Sequence, residues 1–319
     1  MSERAGVGGV RSSASRALES AKGAGFAAGW ALVKALPEWV GRVVFATVAD
    51  VAWRRHGAGI RQLEANLRRV APFADHRALS RRAMRSYLRY WLEVFRLPVL
   101  APERIVADMH MIDEHYLRDA VAAGRGAICA LPHSGNWDHA GAWAMHTGLG
   151  LTTVAERLKP ESLFDRFVAF RTSMGMEVLA LTGGGDVFLT LARRLRAGGL
   201  LCLLADRDLT AGGVEVSFFG EPARMPAGPA ALAVATGAAL LPTTLWYDEQ
   251  GGWGCRIYPP VRAPDEVDRR TRVSMMTQAV ADAFAESIAA HPADWHMLQP
   301  LWTADLDPVR LSATARRAA

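Results

Sequence analysis

Cysteine is scarce in this chain of 319 residues, and its three cysteines, Cys129, Cys202 and Cys255, lie far apart. An odd number of cysteines without a CxxC pair supports neither a disulfide framework nor a cysteine-based zinc site. Each cysteine lies in or near an apolar, strand-like run. We therefore expect buried, reduced thiols.

A long uninterrupted apolar segment is also missing. The best candidate, residues 26–53, contains four charged residues, including Lys34 and Asp50. A membrane-spanning helix needs about 20 largely apolar residues. Residues 1–25 lack the apolar core and cleavage site of a secretory signal. The sequence therefore predicts neither a transmembrane helix nor a signal peptide.

Short motifs of several enzyme classes are absent as well. The sequence has no G-x-S-x-G serine motif and no H-E-x-x-H zinc motif. The glycine-rich stretch 182–186 matches neither the P-loop pattern nor the dinucleotide-binding pattern, so we interpret it as a flexible turn. We accordingly expect no serine acyl-enzyme, no metal and no redox cofactor.

What the chain does have is an apolar composition and an uneven charge. Hydrophobic residues make up 50% of the sequence, and the mean hydropathy is +0.06, which indicates contact with lipid or a large buried pocket. Residues 1–96 carry 17 Lys and Arg against 7 Asp and Glu, a net charge of +10, whereas the remaining residues carry 20 against 25. The candidate partners of this basic region are an anionic membrane, nucleic acid or the phosphates of CoA.

The N-terminal third divides into a predicted disordered tail over 1–20 and a basic amphipathic helical region over 21–100. Trp30, Trp39 and Trp53 punctuate this region, and one of its helices carries an apolar stripe with helical spacing. The stripe consists of Leu36, Val40, Val43, Val44, Val48 and Val51. Such a pattern is typical of an interfacial membrane anchor, and also of a helix packed on a protein core. Both interpretations stay open on the sequence.

Strand-like and helix-like segments alternate along residues 101–310. Strands are predicted at 126–131, 151–155, 176–181, 200–205, 214–219, 240–246 and 254–258. Helices are predicted at 136–147, 160–174, 186–196, 226–236 and 271–290. The alternation predicts an α/β fold with a central, mostly parallel β-sheet flanked by helices, in one globular domain with residues 21–100. Ligands of such sheets bind at the carboxyl ends of the strands.

The most informative segment is Ala130-Leu-Pro-His-Ser-Gly-Asn-Trp-Asp138. An apolar strand ends just before His133, and Asp138 falls in the first turn of the following helix. Asp138 can therefore accept the Nδ1 proton of His133, which leaves Nε2 free to take a proton from a hydroxyl. A histidine at a helix start also serves as a cap or a surface residue, so both interpretations stay open.

Two further aspartates, Asp206 and Asp208, follow the apolar run 200–205 and so lie at a second strand end. Asp206 either joins the histidine and aspartate of the first segment in a relay or forms an ion pair with Arg207. Perturbed carboxylates gather at functional sites, which makes both aspartates candidates.

Three other polar residues are candidates for substrate contact. Glu156 and Arg171 form either a surface ion pair or a polar pocket in which Arg171 binds a phosphate or sugar hydroxyls. His296 lies between Trp295 and Met297 and is either a packed residue or part of the site.

The residues also resemble a known family. His133-Ser-Gly-Asn-Trp-Asp138 matches the HxxxxD motif of the glycerolipid and lipid A acyltransferase superfamily. Longer stretches, in order from about Ala27 to Leu306, resemble the actinobacterial phosphatidylinositol mannoside acyltransferases. These stretches are 155–163, 205–210, 218–221, 224–230 and 292–300.

The resemblance implies a specific reaction. It implies transfer of palmitoyl from palmitoyl-CoA to the 6-hydroxyl of the 2-linked mannose of phosphatidylinositol mono- or dimannoside. It also implies a peripheral or monotopic enzyme on the cytoplasmic face of the plasma membrane, with an anionic membrane surface and no nucleic acid among its partners. No cofactor is implied, because acyl-CoA is a co-substrate.

The resemblance further assigns roles to residues. His133 is the general base, Asp138 is its orienting carboxylate, and Asp206 occupies a position where the family has glutamate, one methylene longer. The polar end of the site is lined by Glu156, Arg171, Asp208 and His296.

Alternative functions remain at this stage. An acyltransferase could act on another lipid acceptor, such as a lysophospholipid or another glycolipid. A different class is a non-catalytic lipid- or nucleic-acid-binding protein that uses the basic N-terminal region. A metal-dependent hydrolase is a third class, without a compact ligand cluster in its favour.

Overall fold

A seven-stranded sheet lies at the centre of the fold. A computed structural model describes residues 29–156, 161–181, 185–208, 212–249 and 251–306. The strands are β1 (Met109–Ile112), β2 (Ala127–Leu131), β3 (Leu151–Glu156), β4 (Glu177–Leu181), β5 (Leu200–Leu204), β6 (Val214–Phe218), β7 (Glu221–Met225), β8 (Ala239–Tyr247) and β9 (Trp253–Ile257).

The sheet is mostly parallel, as predicted. Its strand order is β1-β9-β8-β2-β5-β3-β4. Strands β8, β2, β5, β3 and β4 are parallel to one another, whereas β9 runs antiparallel to β8 and is parallel to β1. The central strand β2 is buried at all of its positions, which explains its continuous apolar sequence.

Helices cover both faces of the sheet, which confirms the predicted α/β class. They are α1 (Glu38–Arg55), α2 (Ala58–Val70), α3 (His76–Arg96), α4 (Pro102–Ala107), α5 (His115–Ala122), α6 (Trp137–His146), α7 (Glu161–Ser173), α8 (Gly185–Arg196), α9 (Gly228–Thr236) and α10 (Arg269–Ala290). Every helix that the sequence predicts between residues 136 and 290 has a counterpart here, within two residues at each end.

Two strands escape the sequence prediction. Strand β1 has four residues, and two of them are exposed. Strand β7 contains Glu221, Pro222 and Arg224, so its composition does not indicate a strand. It forms because Phe219 and Gly220, both with positive φ, close a two-residue hairpin with β6.

Alternate residues of the central strands face different cores. In β2, Ile128 and Ala130 pack into the cluster that contains Trp295, whereas Cys129 and Leu131 pack into the cluster on the other face. This alternation is the two-residue period of a strand. The sheet therefore lies between two apolar layers. These layers fix the strand ends from which the loops start.

Helices α1, α2 and α3 form a third cluster beside the sheet. Arg81 and Arg85 of α3 both bind the buried Asp50 of α1, at 2.5 and 2.7 Å. Their hydrogen bonds lower the pKa of the Asp50 carboxyl far below its usual range. A further helical segment occupies 29–35, and the predicted tail at 1–20 lies outside the described residues.

Most of the apolar stripe does not pack on the protein core. Val43 and Val48 of the stripe are 60% and 50% exposed, and Trp39 beside them is 70% exposed. The buried face of α1 is instead formed by Gly41, Ala49, Asp50 and Trp53. Core packing, one of the two interpretations left open by the sequence, is therefore wrong for Val43, Val44, Val48 and Val51, whereas Leu36 and Val40 are half-buried. None of the helices in the described ranges is both long and apolar enough to cross a bilayer.

Candidate active site

The candidate site lies at the carboxyl ends of two neighbouring strands. Leu131 of β2 and Leu204 of β5 are paired in register. His133 lies two residues beyond Leu131, and Asp206 lies two residues beyond Leu204. The N–H of Ala205 donates to the carbonyl of Leu131 at 2.8 Å, so the strands separate only after this point. The equal offsets bring the two side chains together.

His133 and Asp206 are joined by two hydrogen bonds. The Nδ1 atom of His133 lies 2.5 Å from Oδ1 of Asp206, and the main-chain N–H of His133 donates to Oδ2 at 2.9 Å. The indole N–H of Trp295 also donates to Oδ2, at 3.0 Å. The predicted contact between Asp206 and His133 is thus present, without Asp138. The hydrogen bonds to this carboxylate within the described ranges come from His133 and Trp295 rather than from Arg207.

The protonation state of Asp206 decides the tautomer of His133. Asp206 is fully buried. Burial would raise the pKa of its carboxyl, but the neighbouring His133 and the hydrogen bonds outweigh this effect and lower the pKa below its usual range. An ionised carboxylate only accepts hydrogen bonds, so Nδ1 of His133 carries the proton. In the neutral form of an imidazole with its proton on Nδ1, Nε2 has a lone pair.

Asp138 does not orient His133, which corrects the sequence prediction. It lies in the first turn of α6, as predicted, but its carboxylate accepts from Arg171 at 2.6 and 3.1 Å and from the hydroxyl of Tyr90 at 2.8 Å. The physical reason is that Asp206 already occupies Nδ1, while the helix turns residue 138 towards α7 and α3.

A buried cluster of Asp138, Arg171 and Tyr90 lies beside His133 and Asp206, which we call the dyad. Burial would lower the pKa of Arg171, but the charge of Asp138 and its hydrogen bonds raise it. Burial and the charge of Asp138 raise the pKa of Tyr90 well above its ordinary value. The ring of Tyr90 lies 4.1 Å from that of Trp137 between centroids, and Trp137 contacts His133 edge-on at 5.5 Å. The cluster therefore acts on His133 through packing.

The loop after His133 requires a glycine. Gly135 has φ +56°, and a Cβ there would lie 2.8 Å from backbone atoms of Leu245 and Trp246. Asn136 then caps α6 by accepting the N–H of His139 at 2.9 Å. The capped helix and the tight turn determine where His133 lies.

His296 lies against the dyad. Its main-chain N–H donates to the carbonyl of His133 at 2.7 Å, and its Nε2 lies 3.0 Å from the hydroxyl of Ser86. That hydroxyl donates to Asp294 at 2.7 Å. Burial, reinforced by the nearby His133, lowers the pKa of His296 to about 3. The ring is therefore neutral at physiological pH.

For Asp208 and Glu156, the other two predicted site residues, the structure shows no hydrogen bond to His133 or Asp206 within the described ranges. Asp208 is half-buried and accepts the N–H of Gly213 at 2.8 Å within its own loop. Glu156 is the last residue of β3, and its side chain lies outside the described part of the structure. Sequence reasoning did not assign Tyr90 or Ser86, since both lie on α3 without a motif of their own.

The arrangement can remove a proton from a hydroxyl group. The side chain of His133 is 21% exposed, and within the described ranges no hydrogen bond is made to its Nε2. A neutral imidazole with a free Nε2 and a carboxylate on Nδ1 is the arrangement of a general base. The buried carboxylate would also stabilise the imidazolium that forms.

Comparisons with known proteins agree with this chemistry. The sequence model of the family described as bacterial lipid A biosynthesis acyltransferase matches residues 13–304. A phosphatidylinositol mannoside acyltransferase of Mycolicibacterium smegmatis is 52% identical over 291 residues, which cover 90% of this chain and 93% of that protein. A phosphatidylinositol mannoside acyltransferase of Mycobacterium tuberculosis strain H37Rv is 51% identical over 291 residues, which cover 89% of this chain and 90% of that protein. The resemblance inferred from the motifs is confirmed, and this chain is an acyltransferase that belongs to the bacterial lipid A biosynthesis acyltransferase family.

Proposed function

We propose that this enzyme transfers a palmitoyl group from palmitoyl-CoA to a mannose hydroxyl of a phosphatidylinositol mannoside, with His133 as the general base. The observation that carries the proposal is the His133–Asp206 pair at the carboxyl edge of the sheet. A base with a free Nε2 suits a reaction in which a sugar hydroxyl must lose its proton as it attacks.

The identity of the acceptor rests on similarity. Half-identical relatives over nearly their whole length are named for acylation of phosphatidylinositol mannoside. The finer assignment, the primary 6-hydroxyl of the 2-linked mannose, rests on the motif resemblance. A primary hydroxyl is the least hindered nucleophile of a hexose, which suits a single recessed base.

The acyl group passes directly from the thioester to the acceptor, through a tetrahedral intermediate and without an acyl-enzyme. The acceptor hydroxyl gives its proton to Nε2 of His133 while its oxygen attacks the thioester carbon. The tetrahedral intermediate collapses as the carbon–sulfur bond breaks. The imidazolium returns the proton to the leaving sulfur, so the products are the ester and free CoA. General-base catalysis of this kind contributes about 10²–10⁴-fold.

The two buried aspartates have different roles in this mechanism. Asp206 contacts the reacting base and stabilises its charged form. Asp138 pairs with Arg171 and supports the wall that contains Trp137. The motif resemblance assigns contacts with the acceptor or its phosphate to Arg171, Glu156, Asp208 and His296.

The α1 face docks on the cytoplasmic surface of the plasma membrane. Trp39, Val43 and Val48 are exposed along one helix, and Arg54 and Arg55 end the same helix in exposed positions. Exposed apolar side chains next to cations suit an anionic lipid surface. This docking brings a lipid acceptor to an enzyme whose other substrate, acyl-CoA, is dissolved in the cytoplasm.

Release of free CoA from palmitoyl-CoA tests the proposal. Wild type and His133→Ala are compared with and without phosphatidylinositol dimannoside. We expect release that the glycolipid stimulates and that the variant loses by about 10²-fold or more. Release that is stimulated by a lysophospholipid and not by this glycolipid would mean that the enzyme acylates another acceptor. Full activity of His133→Ala would refute the mechanism.

A further inference from the structure

Among the described residues, Asp206 has one hydrogen-bond donor that does not come from His133. Two of its hydrogen bonds belong to the ring and the main chain of His133. The third comes from the indole N–H of Trp295, at 3.0 Å from Oδ2. Trp295 lies 89 residues further along the chain. The carboxylate of Asp206 is therefore oriented by a residue other than His133.

Trp295 is held rigidly. It is fully buried, and its ring packs edge-on against Trp302 at 6.0 Å and Phe218 at 6.1 Å between centroids. It also forms an isolated β-bridge with Ser134. An indole fixed in this way can donate its N–H in one direction only.

The residues on either side of Trp295 bind the His133 loop. The carbonyl of Asp294 accepts the N–H of Gly135 at 2.9 Å, and the N–H of His296 donates to the carbonyl of His133 at 2.7 Å. Segment 294–296 thus contacts the base through the main chain and its carboxylate partner through a side chain. The same segment therefore positions both His133 and Asp206.

We propose that Trp295 is a positioning residue for acyl transfer: its N–H fixes Oδ2 of Asp206 so that Oδ1 faces Nδ1 of His133. This inference rests on the proposed role of His133 as the base. A neutral donor is suited to the task, because it stabilises the buried carboxylate without adding a positive charge that would oppose the imidazolium.

The chain offers a matched control in Trp53. It too is buried, but it lies in the cluster of α1, α2 and α3, and its indole N–H donates at 3.0 Å to the hydroxyl of Ser80. Trp295→Phe and Trp53→Phe therefore remove the same atoms and one hydrogen bond each. They differ in whether the lost acceptor is the catalytic carboxylate.

The test measures kcat, the KM values of palmitoyl-CoA and phosphatidylinositol dimannoside, and Tm for both variants and for His133→Ala. We expect kcat of Trp295→Phe to fall about tenfold to a hundredfold, the range of a hydrogen bond to a charged group. Both KM values stay within about twofold, because the indole touches no substrate in this proposal. Trp53→Phe shows a similar fall in Tm with kcat nearly unchanged.

A second substitution guards against misfolding of the smaller phenyl variant. Replacement of Trp295 by benzothienylalanine puts sulfur in place of N–H and keeps the bicyclic shape, and the same loss of kcat is expected. Unchanged kcat in this variant, with His133→Ala inactive, would overturn the role of Trp295 alone. Full activity of His133→Ala would instead overturn the proposed base.

Discussion

Asp206 binds His133 twice, through the Nδ1 atom of the ring at 2.5 Å and through the main-chain N–H at 2.9 Å. A carboxylate attached at both points restrains the position of the residue as well as the rotation of its imidazole. Each residue lies two positions beyond a strand-paired leucine. The dyad is thus built on the register of two adjacent strands, and Asp206 is the carboxylate on which activity should depend most.

Replacement of Asp206 should damage catalysis more than folding. Asp206→Asn keeps the shape but presents an amide that can bind the wrong tautomer of His133. We expect kcat to fall about 10²–10⁴-fold, as for loss of an orienting carboxylate. The measurement is CoA release with phosphatidylinositol dimannoside, with Tm as the check on folding.

Asp206→Glu tests the length of this side chain. The motif resemblance implies glutamate at this position, yet Asp206 is fully buried between His133 and Trp295. We expect Asp206→Glu to retain more activity than Asp206→Asn and less than wild type. Wild-type activity of Asp206→Asn would show that the carboxylate charge has no role.

Loss of the Asp138 carboxylate should damage folding more than catalysis. Asp138→Leu leaves Arg171 as a buried cation without its partner, which costs about 3–5 kcal/mol of unfolding free energy. Its kcat, measured below the unfolding temperature, should fall less than that of Asp206→Asn, because Asp138 makes no bond to His133.

A double variant provides the control for this pair. Asp138→Leu combined with Arg171→Met removes both charges, and replacing a whole buried pair is often close to neutral. We expect the double variant to be more stable than Asp138→Leu alone in denaturant titrations. A double variant that loses the sum of both single effects would contradict a direct pair.

Gly135→Ala should disrupt the His133 loop. A left-handed conformation costs a residue with a Cβ about 1–2 kcal/mol, and here the Cβ would also meet the backbone of β8 at 2.8 Å. Gly148→Ala is the control, because Gly148 has φ +82° and no atom within 4 Å of its added Cβ. We expect both variants to lose stability and Gly135→Ala alone to lose kcat, by about 10²-fold for a 1 Å displacement.

The stability of the protein should fall as pH decreases from about 6.5. The folded pKa of His296 is lowered to about 3 by burial. Between these two pH values the unfolded chain takes up a proton that the folded protein does not, so the unfolding free energy rises with pH across this window. Each such proton contributes at most about 1.4 kcal/mol per pH unit.

His296→Gln should reduce this dependence. Denaturant titrations from pH 4 to 7 would give a shallower slope of unfolding free energy against pH for this variant. His146→Gln is the control, since His146 is exposed at the end of α6. An unchanged slope in His296→Gln would mean that His296 is not neutral in the folded protein.

The exposed face of α1 should determine membrane binding. Val43→Asp combined with Val48→Asp removes two exposed valines and adds two negative charges on that face. We expect sedimentation with phosphatidylglycerol vesicles to weaken by at least about tenfold, since each buried valine contributes about 1.5 kcal/mol. Leu189→Asp, an exposed position on α8, should bind like wild type. Equal losses in both variants would contradict docking through α1.

Much of the fold could be predicted because its elements are local in sequence. Short continuous apolar runs indicate the strands β2 and β5, and apolar residues spaced three or four apart indicate helices. Neither signal depends on which elements pack nearby. Strand β7 could not be predicted, because Glu221–Met225 becomes a strand only by pairing with β6. The outward direction of the α1 stripe was equally undetermined, since a helical period does not say which neighbour covers a face.

The sequence alone determined that His133, Asp138 and Asp206 follow strands or begin a helix, and its motifs determined the acyltransferase family. Only the tertiary structure decided which aspartate binds the histidine. Asp138 is five residues from His133 in sequence, but Asp206 binds it because β5 lies beside β2 in register. Trp295 reaches the same carboxylate from the far end of the chain. Hydrogen bonds depend on distances of about 3 Å, and strand order and packing, rather than sequence spacing, set those distances.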